Sequence, residues 1–210
     1  DGETTLTDPF GTRDHTERML AFLGGDISVD GPVIRLRPGV LRSGKSLTIP
    51  GDPSTAAFYA AAAALVPGSA VTLLRVLHNP TRMGFFSALE AMGAAVTVSH
   101  GGTNGREPVG DIAVAHGKLK GIRIPPERVP SLVDEVPLLA VLAAAAEGET
   151  RIEGLGELRV KESDRLAATA AGLRKLGADA GVDGDALVIR GPAPLRGAEL
   201  DSLGDHRLAM

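Results

Sequence analysis

The residues most able to do chemistry lie at 157–165, where Glu157, Lys161, Glu162 and Arg165 fall within nine positions. An apolar series at helical spacing follows, Leu166, Ala170, Leu173 and Leu176, and ends at Gly177. The periodicity predicts an amphipathic helix over 162–176 with the charged cluster on its first turn. Lys161 and Arg165 are four apart and Glu162 and Arg165 three apart, so all three can share one side of that turn. Two cations there oppose the positive end of the helix dipole, at about 0.3–1 kcal/mol each. A local rule broken in this way points to a purpose elsewhere. The alternatives are a solvated charged turn, or an anion site in which backbone N–H groups and two cations face a substrate while Glu162 moves a proton.

Composition narrows the classes. A chain of 210 residues with 43% hydrophobic content can build one large domain or two smaller ones. Aromatics are only 3%, so the core must come from Ala, Leu, Val and Ile. A net charge of −4 argues against a nucleic-acid surface, which needs a basic face, but leaves room for a small anionic substrate at a local cluster. With no cysteine there is neither disulfide nor thiolate metal site, which fits a reducing cytoplasm. The five histidines show no metal-ligand spacing on one helix face. The longest apolar run, Ala56–Val66, is far short of the ~20 residues of a membrane span, and no signal peptide opens the sequence.

The elements that must position the charges repeat. Gly2-Glu-Thr-Thr-Leu-Thr leads through Arg13-Asp-His-Thr-Glu17 to Gly24, Gly68-Ser-Ala-Val-Thr-Leu through Asn79-Pro-Thr-Arg82 to Gly93, and Gly148-Glu-Thr-Arg-Ile-Glu through Lys161-Glu-Ser-Asp-Arg165 to Gly177. Each reads as a Gly turn, a strand, a Gly-capped helix and another strand, at Asp26–Val29, Ala95–Val98 and Leu187–Ile189. Between them strands at Ser46–Ile49 and Gly121–Ile124 lead into helices at 54–66 and 137–147, and a strand at Ala198–Leu203 leads to Asp205-His206-Arg207, where a third such helix should begin. The fold class is therefore α/β, with Ala and Leu faces buried against sheet. If equivalent helices are parallel, the N-termini at Asp52, Asp134 and Asp205 point to one side, and each Asp can also be a plain N-cap. A boundary falls at Pro50-Gly51, and 100–108 and 125–131, rich in Gly, Asn and Pro, read as exposed loops.

Gly39-Val-Leu-Arg-Ser-Gly44-Lys45-Ser46 matches the P-loop pattern by letter. That pattern needs a helix after its Lys-Ser pair, whereas Leu-Thr-Ile-Pro50-Gly51 follows, so nucleotide hydrolysis is rejected.

Taken together, Lys161-Glu-Ser-Asp-Arg165, Asp205-His-Arg207, Arg13-Asp-His-Thr-Glu17 and Asp134-Glu-Val-Pro137 give the chain a resemblance, along essentially all its length, to the 5-enolpyruvylshikimate-3-phosphate synthases, the 3-phosphoshikimate 1-carboxyvinyltransferases of aromatic amino-acid biosynthesis. The resemblance implies two domains of repeated βαβαββ-type units, with residues 1–50 the last unit of one domain and 51–210 most of the other. It implies transfer of the enolpyruvyl group of phosphoenolpyruvate to the 5-hydroxyl of shikimate 3-phosphate, with release of phosphate and no metal or organic cofactor. On the matching positions, Glu162 resembles the acid/base at the methylene carbon and Asp134 the carboxylate beside the acceptor hydroxyls. Arg165, His206 and Arg207 resemble the phosphoenolpyruvate ligands, and Arg13 and Lys161 the contacts to shikimate 3-phosphate. Dipole-favoured Glu162, a capping Asp134 and a surface His206 are the plainer alternatives. Glu157 stands where some members carry Asn, and Arg82 and Glu107 read as structural pairs. Domain closure about a hinge near Pro50-Gly51 and a monomeric full-length enzyme are further expectations.

Two rivals remain: enolpyruvyl transfer to a UDP-amino sugar, and a noncatalytic anion-binding fragment. Family members are far longer, and the resemblance places substrate-holding segments both before and after this stretch. If the 210 residues are all that is made, they should release no phosphate from phosphoenolpyruvate above a no-enzyme control, and steady-state release would overturn that expectation.

Overall fold

The computed structural model describes residues 2–42 and 46–210. Three copies of one strand arrangement account for most of it. In the first, β1 (Thr4–Thr7), α1 (His15–Phe22), β2 (Asp26–Asp30) and β3 (Val33–Arg37) form an antiparallel sheet in the order β1-β3-β2. In the second, α2 (Pro53–Leu65) precedes β4 (Ala70–Leu77), α3 (Gly84–Met92), β5 (Ala95–Asn104) and β6 (Glu107–Ala115), in the order β4-β6-β5. The third runs β7 (Arg123–Ile124), α4 (Val136–Ala145), β8 (Gly148–Ile152), α5 (Arg165–Lys175), β9 (Asp179–Asp183) and β10 (Ala186–Gly191), in the order β7-β8-β10-β9. Here β7 pairs parallel to β8, and Gly51 makes the matching parallel bridge to Val76 of β4. The repeated unit is thus βαβαββ, and α6 (His206–Ala209) starts a further helix.

The Ala-rich composition of α2 and α4 has a packing consequence. Ala57, Ala60 and Ala64 of α2 and Leu139, Ala140, Leu142, Ala143 and Ala144 of α4 are fully buried, so these helices are apolar on most sides and lie inside the molecule. α2 packs on β4, β6 and α4, and α4 on β10 and α5. Asp52 caps α2 by accepting the Thr55 N–H at 2.9 Å, ahead of Pro53 at the first helical position. α3 ends at Gly93 with φ +111°, a left-handed C-cap that a side chain would strain.

Several local expectations fail. Residues 46–49 and 198–203 form no strand, because neither segment has a neighbour to complete a ladder beyond the Gly51 bridge. Residues 100–108 are not a loop but the tip of the β5–β6 hairpin, with a register shift between His100 and Thr103 absorbing the glycines. Residues 126–131 form a 3-10 helix. The P-loop look-alike includes Ser43, Gly44 and Lys45, which lie outside the described residues, and no helix follows at Ser46–Pro50.

Every residue of the continuous apolar core comes from 56–189. No described residue of 2–42 is buried, and that unit meets the rest through polar contacts. Asn79 Nδ2 donates to Asp14 Oδ1 at 2.6 Å and to Glu107 Oε2 at 3.0 Å, His15 Nδ1 lies 2.7 Å from Glu107 Oε1, and Arg18 Nη1 donates to the Arg106 carbonyl at 3.0 Å.

Leu139→Ala should therefore cost about 2–5 kcal/mol of stability, whereas Tyr59→Ala, on the exposed side of α2, should stay within about 0.5 kcal/mol. Urea unfolding of the two variants checks this, and equal losses would contradict the placement of α4 inside the core.

Candidate functional site

The charged segment enters α5 differently from the periodicity. Asp164 is the N-cap, its carboxylate accepting the Ala167 N–H at 2.9 Å, so the helix begins at Arg165 and not at 162. Lys161 and Glu162 consequently sit ahead of the first turn, in the link from the 3-10 helix Gly156–Val160, and are free of the helix's side-chain geometry. The Glu162 carboxylate does not cap this helix.

Arg165, the first helical residue, keeps only 2% of its surface in contact with solvent. Its Nε donates to Asp205 Oδ2 at 2.7 Å and its Nη2 to Asp205 Oδ1 at 3.2 Å, a bidentate fork, while Nη2 also donates to Glu162 Oε2 at 2.5 Å. Nη1 lies 3.6 Å from Asp134 Oδ1. Burial works against the charged form, but the Asp205 hydrogen bond and the charges of Asp205, Glu162 and Asp134 outweigh it and raise the pKa. The cation at a helix N-terminus is thus compensated by three carboxylates.

Asp205 is as deeply buried, at 1% exposure, and serves two structures at once. It is the N-cap of α6, accepting the Arg207 N–H at 2.9 Å, and it accepts the Ser163 hydroxyl at 2.9 Å. The Arg165 hydrogen bond, against the opposing effect of burial and with help from the Arg207 N–H and Ser163, holds its carboxyl down at about 2.

Asp134 lies in the 3-10 turn Val133–Glu135, one residue too early to cap α4, so the plain capping alternative falls. It accepts Arg13 Nη2 at 2.5 Å, across 121 positions of sequence. Burial would raise its pKa, but the Arg13 hydrogen bond and charge, together with the charges of Arg207 and Lys161, bring it below the usual carboxylate value. Arg13, Lys161, Arg165 and Arg207 therefore all act on one carboxylate. Sequence spacing sets Glu162 beside only two of these cations, Lys161 and Arg165. In the folded chain all four act on Asp134, and Glu162, with about half its side chain exposed, stands at the rim on Arg165.

The remaining candidates fall nearby. His206 Nδ1 is 4.0 Å from Glu162 Oε1 and from Asp205 Oδ1, with the ring exposed. Lys161 Nζ bonds Glu157 Oε1. Arg207 has no recorded side-chain hydrogen bond or ion pair among the described residues, although its charge reaches Asp134 and Glu135. Arg82 and Glu107 pair structurally, with Asp52 at 3.0 Å and with His15 at 2.7 Å. Two residues escaped sequence reasoning: Asp205 as the counter-ion of Arg165, and buried Glu135. The available signal for the first was a cation at a helix start, which calls for an anion from elsewhere. A groove of about 280 Å³ between α4, α5 and α6 reaches Arg207 but is otherwise lined chiefly by Leu138, Val141, Leu173, Leu176 and Leu208, a poor match to anionic substrates. Among the described residues no three His, Asp or Glu side chains are placed to hold a metal ion.

The repeated βαβαββ unit is the fold of the enolpyruvyl transferases. The enolpyruvyl transferase NikO of Streptomyces tendae superposes with TM-score 0.69 at 24% identity, over 93% of this chain and 44% of that one, a likeness of fold alone. The family model of EPSP synthase (3-phosphoshikimate 1-carboxyvinyltransferase) matches residues 1–210, and the chain belongs to that family. It is 52% identical to the 3-phosphoshikimate 1-carboxyvinyltransferase of Roseiflexus sp. (strain RS-1) and 50% identical to that of Synechococcus sp. (strain CC9605), covering 100% and 99% of this chain and 49% and 48% of those proteins. EPSP synthase from Acinetobacter baumannii superposes with TM-score 0.92 at 42% identity, over 100% of this chain and 49% of that one. The chain spans about half the length of the curated relatives it matches.

The depressed Asp205 carboxyl gives a pH signature. A lowered folded pKa contributes stability above the unfolded value and loses it as pH falls through the folded one. Asp205→Asn should be less stable than the parent at neutral pH, and the gap should narrow from about pH 4 down to about pH 2. Urea unfolding at stepped pH reads this, and a gap that does not vary with pH would contradict the ion pair.

Proposed function

We propose that this chain forms part of an enzyme that transfers the enolpyruvyl group of phosphoenolpyruvate to the 5-hydroxyl of shikimate 3-phosphate and releases phosphate. The observation that carries the reading is the convergence of Arg13, Lys161, Arg165 and Arg207 on Asp134, with Glu162 held at the rim by Arg165. Both substrates are anionic, and guanidinium forks suit their carboxylate and phosphate groups.

In this reading Arg207, whose guanidinium is unclaimed among the described residues, takes the phosphoenolpyruvate carboxylate, with His206 beside it. Arg165 joins through Nη1, the nitrogen it directs toward Asp134 at 3.6 Å. Arg13 and Lys161 leave Asp134 and Glu157 for the phosphate and hydroxyls of the acceptor. Asp134, ionised because its pKa is lowered, accepts the proton of the 5-hydroxyl as that oxygen bonds the enol carbon. Glu162 gives a proton to the methylene carbon, forming a tetrahedral adduct. When phosphate leaves, it carries off as hydrogen phosphate the proton that Asp134 had accepted, and Glu162 takes a methyl proton back and restores the double bond.

Residues 1–50 belong to one domain and 51–210 to the other, a division supported by the buried apolar core confined to 56–189 and the polar contacts that join the two parts. The substrates then bind at their junction, where Arg13 meets Asp134. A cytoplasmic enzyme fits a sequence without cysteine, and a monomer is what the family resemblance implies.

In the full-length protein Glu162→Gln should lower kcat by about 10²–10⁴-fold with little change in the KM for phosphoenolpyruvate, whereas Arg207→Ala should chiefly raise that KM. Phosphate release with shikimate 3-phosphate as acceptor measures both. Undiminished turnover by Glu162→Gln, or turnover with a UDP-amino sugar in place of shikimate 3-phosphate, would overturn the assignment.

A further inference from the structure

Glu135 follows Asp134 directly, yet its side chain is 4% exposed and turns the other way, into the space between α2 and α4. It occupies the N-cap position of α4 without capping it. Instead its Oε1 accepts the hydroxyl of Ser54, in the first turn of α2, at 2.5 Å. Ser54 is itself 1% exposed, and its Oγ accepts Arg82 Nη2 at 2.7 Å, so the hydroxyl has one direction left in which to donate. The same Arg82 nitrogen reaches Asp52 Oδ1, the N-cap of α2, at 3.0 Å. A chain of hydrogen bonds therefore runs from the cap of α2 through Arg82 and Ser54 to the residue beside Asp134.

An anion in this position is costly. Burial raises the Glu135 pKa and neighbouring Asp134 raises it further, against the Ser54 hydrogen bond and the charges of Arg82 and Arg207. An apolar side chain would fill the space at lower cost, so specificity of arrangement is the return. Val133 and Val136, also buried, anchor the turn by packing, but packing alone does not fix the rotation of a 3-10 turn about its axis. A directed hydrogen bond does.

We propose that Glu135, held by Ser54 and Arg82, is a positioning residue that fixes the turn so that Asp134 points at the cation cluster. The role rests on the reading of Asp134 as the carboxylate at the acceptor hydroxyl. The charged groups that act on Asp134 are Arg13, Lys161, Arg165 and Arg207, with the charge of Glu135 felt through the turn. If the turn loosens, Asp134 moves away from its cations and its titration must shift upward.

The test is a carbon-13 NMR titration of the Asp134 carboxyl in the 210-residue chain, in the parent and in Ser54→Ala and Arg82→Lys, neither of which changes the net charge. Both variants should move the Asp134 midpoint up by about half a unit or more. An unmoved midpoint in either folded variant overturns the proposal. Should one variant not fold, the other decides. Should neither fold, Glu135→Gln decides: an upward shift supports positioning, and a downward or absent shift, as expected if Glu135 acts only as a nearby negative charge or not at all, overturns it. In full-length enzyme Ser54→Ala should lower kcat several-fold with the KM for phosphoenolpyruvate unchanged, and unchanged kcat overturns the proposal. The titration needs no turnover, so its outcome is separate from the success or failure of the enolpyruvyl reading.

Discussion

A guanidinium almost wholly removed from water must find its countercharge within the protein, and Arg165 meets that demand with Asp205, Glu162 and Asp134. Each comes from a different place: the start of α6, the link before α5, and the turn before α4. Burying such a pair returns little stability against apolar residues of the same size, but removing one partner strands a charge. The requirement therefore works as a constraint on geometry. Three segments distant in sequence can satisfy one cation only if they meet at one point, and that point becomes the candidate site.

The repeat explains why they can meet. Successive βαβαββ units bring the N-termini of α2, α4 and α6 together, and each carries an acidic residue that another segment's arginine answers: Asp52 with Arg82, Asp134 with Arg13, Asp205 with Arg165. Ala-rich helices let these ends approach closely, because small side chains keep the backbones near one another. The contact in the second of these pairs crosses from the unit at 2–42, which shares no buried apolar surface with the core. Polar contacts of this kind can exchange for water or substrate more readily than a packed core can reopen.

Much of this was legible in the order of residues. The three-fold recurrence of Gly turn, strand and capped helix revealed the α/β repeat, and Lys161-Glu-Ser-Asp-Arg165 with Asp205-His-Arg207 pointed to segments that meet at the Arg165–Asp205 ion pair of the candidate site. The failures have physical causes. Alternation suggested strands at 46–49 and 198–203, but a strand exists only with a ladder partner, which is a tertiary fact. Glycine-rich 100–108 became a hairpin tip because the register shift accommodates it. Helical periodicity located α5 but not its start, since Asp164 takes the cap and frees Glu162. The place of Asp134 in the cation cluster was illegible for the same kind of reason: Asp134 is remote in sequence from all four of its cations, and its contact with Arg13 across 121 positions leaves no local pattern.

The central claim is that the Arg165–Asp205 pair organises the site, and a double-mutant cycle addresses it most directly. Arg165→Ala, Asp205→Asn and the double variant would be unfolded in urea at neutral pH. The account predicts a loss of about 3–5 kcal/mol on removing the arginine alone and a double variant much less damaged than the sum of the two, with a coupling of about 1–3 kcal/mol. Strictly additive losses would mean that the two side chains do not depend on each other, and would contradict it.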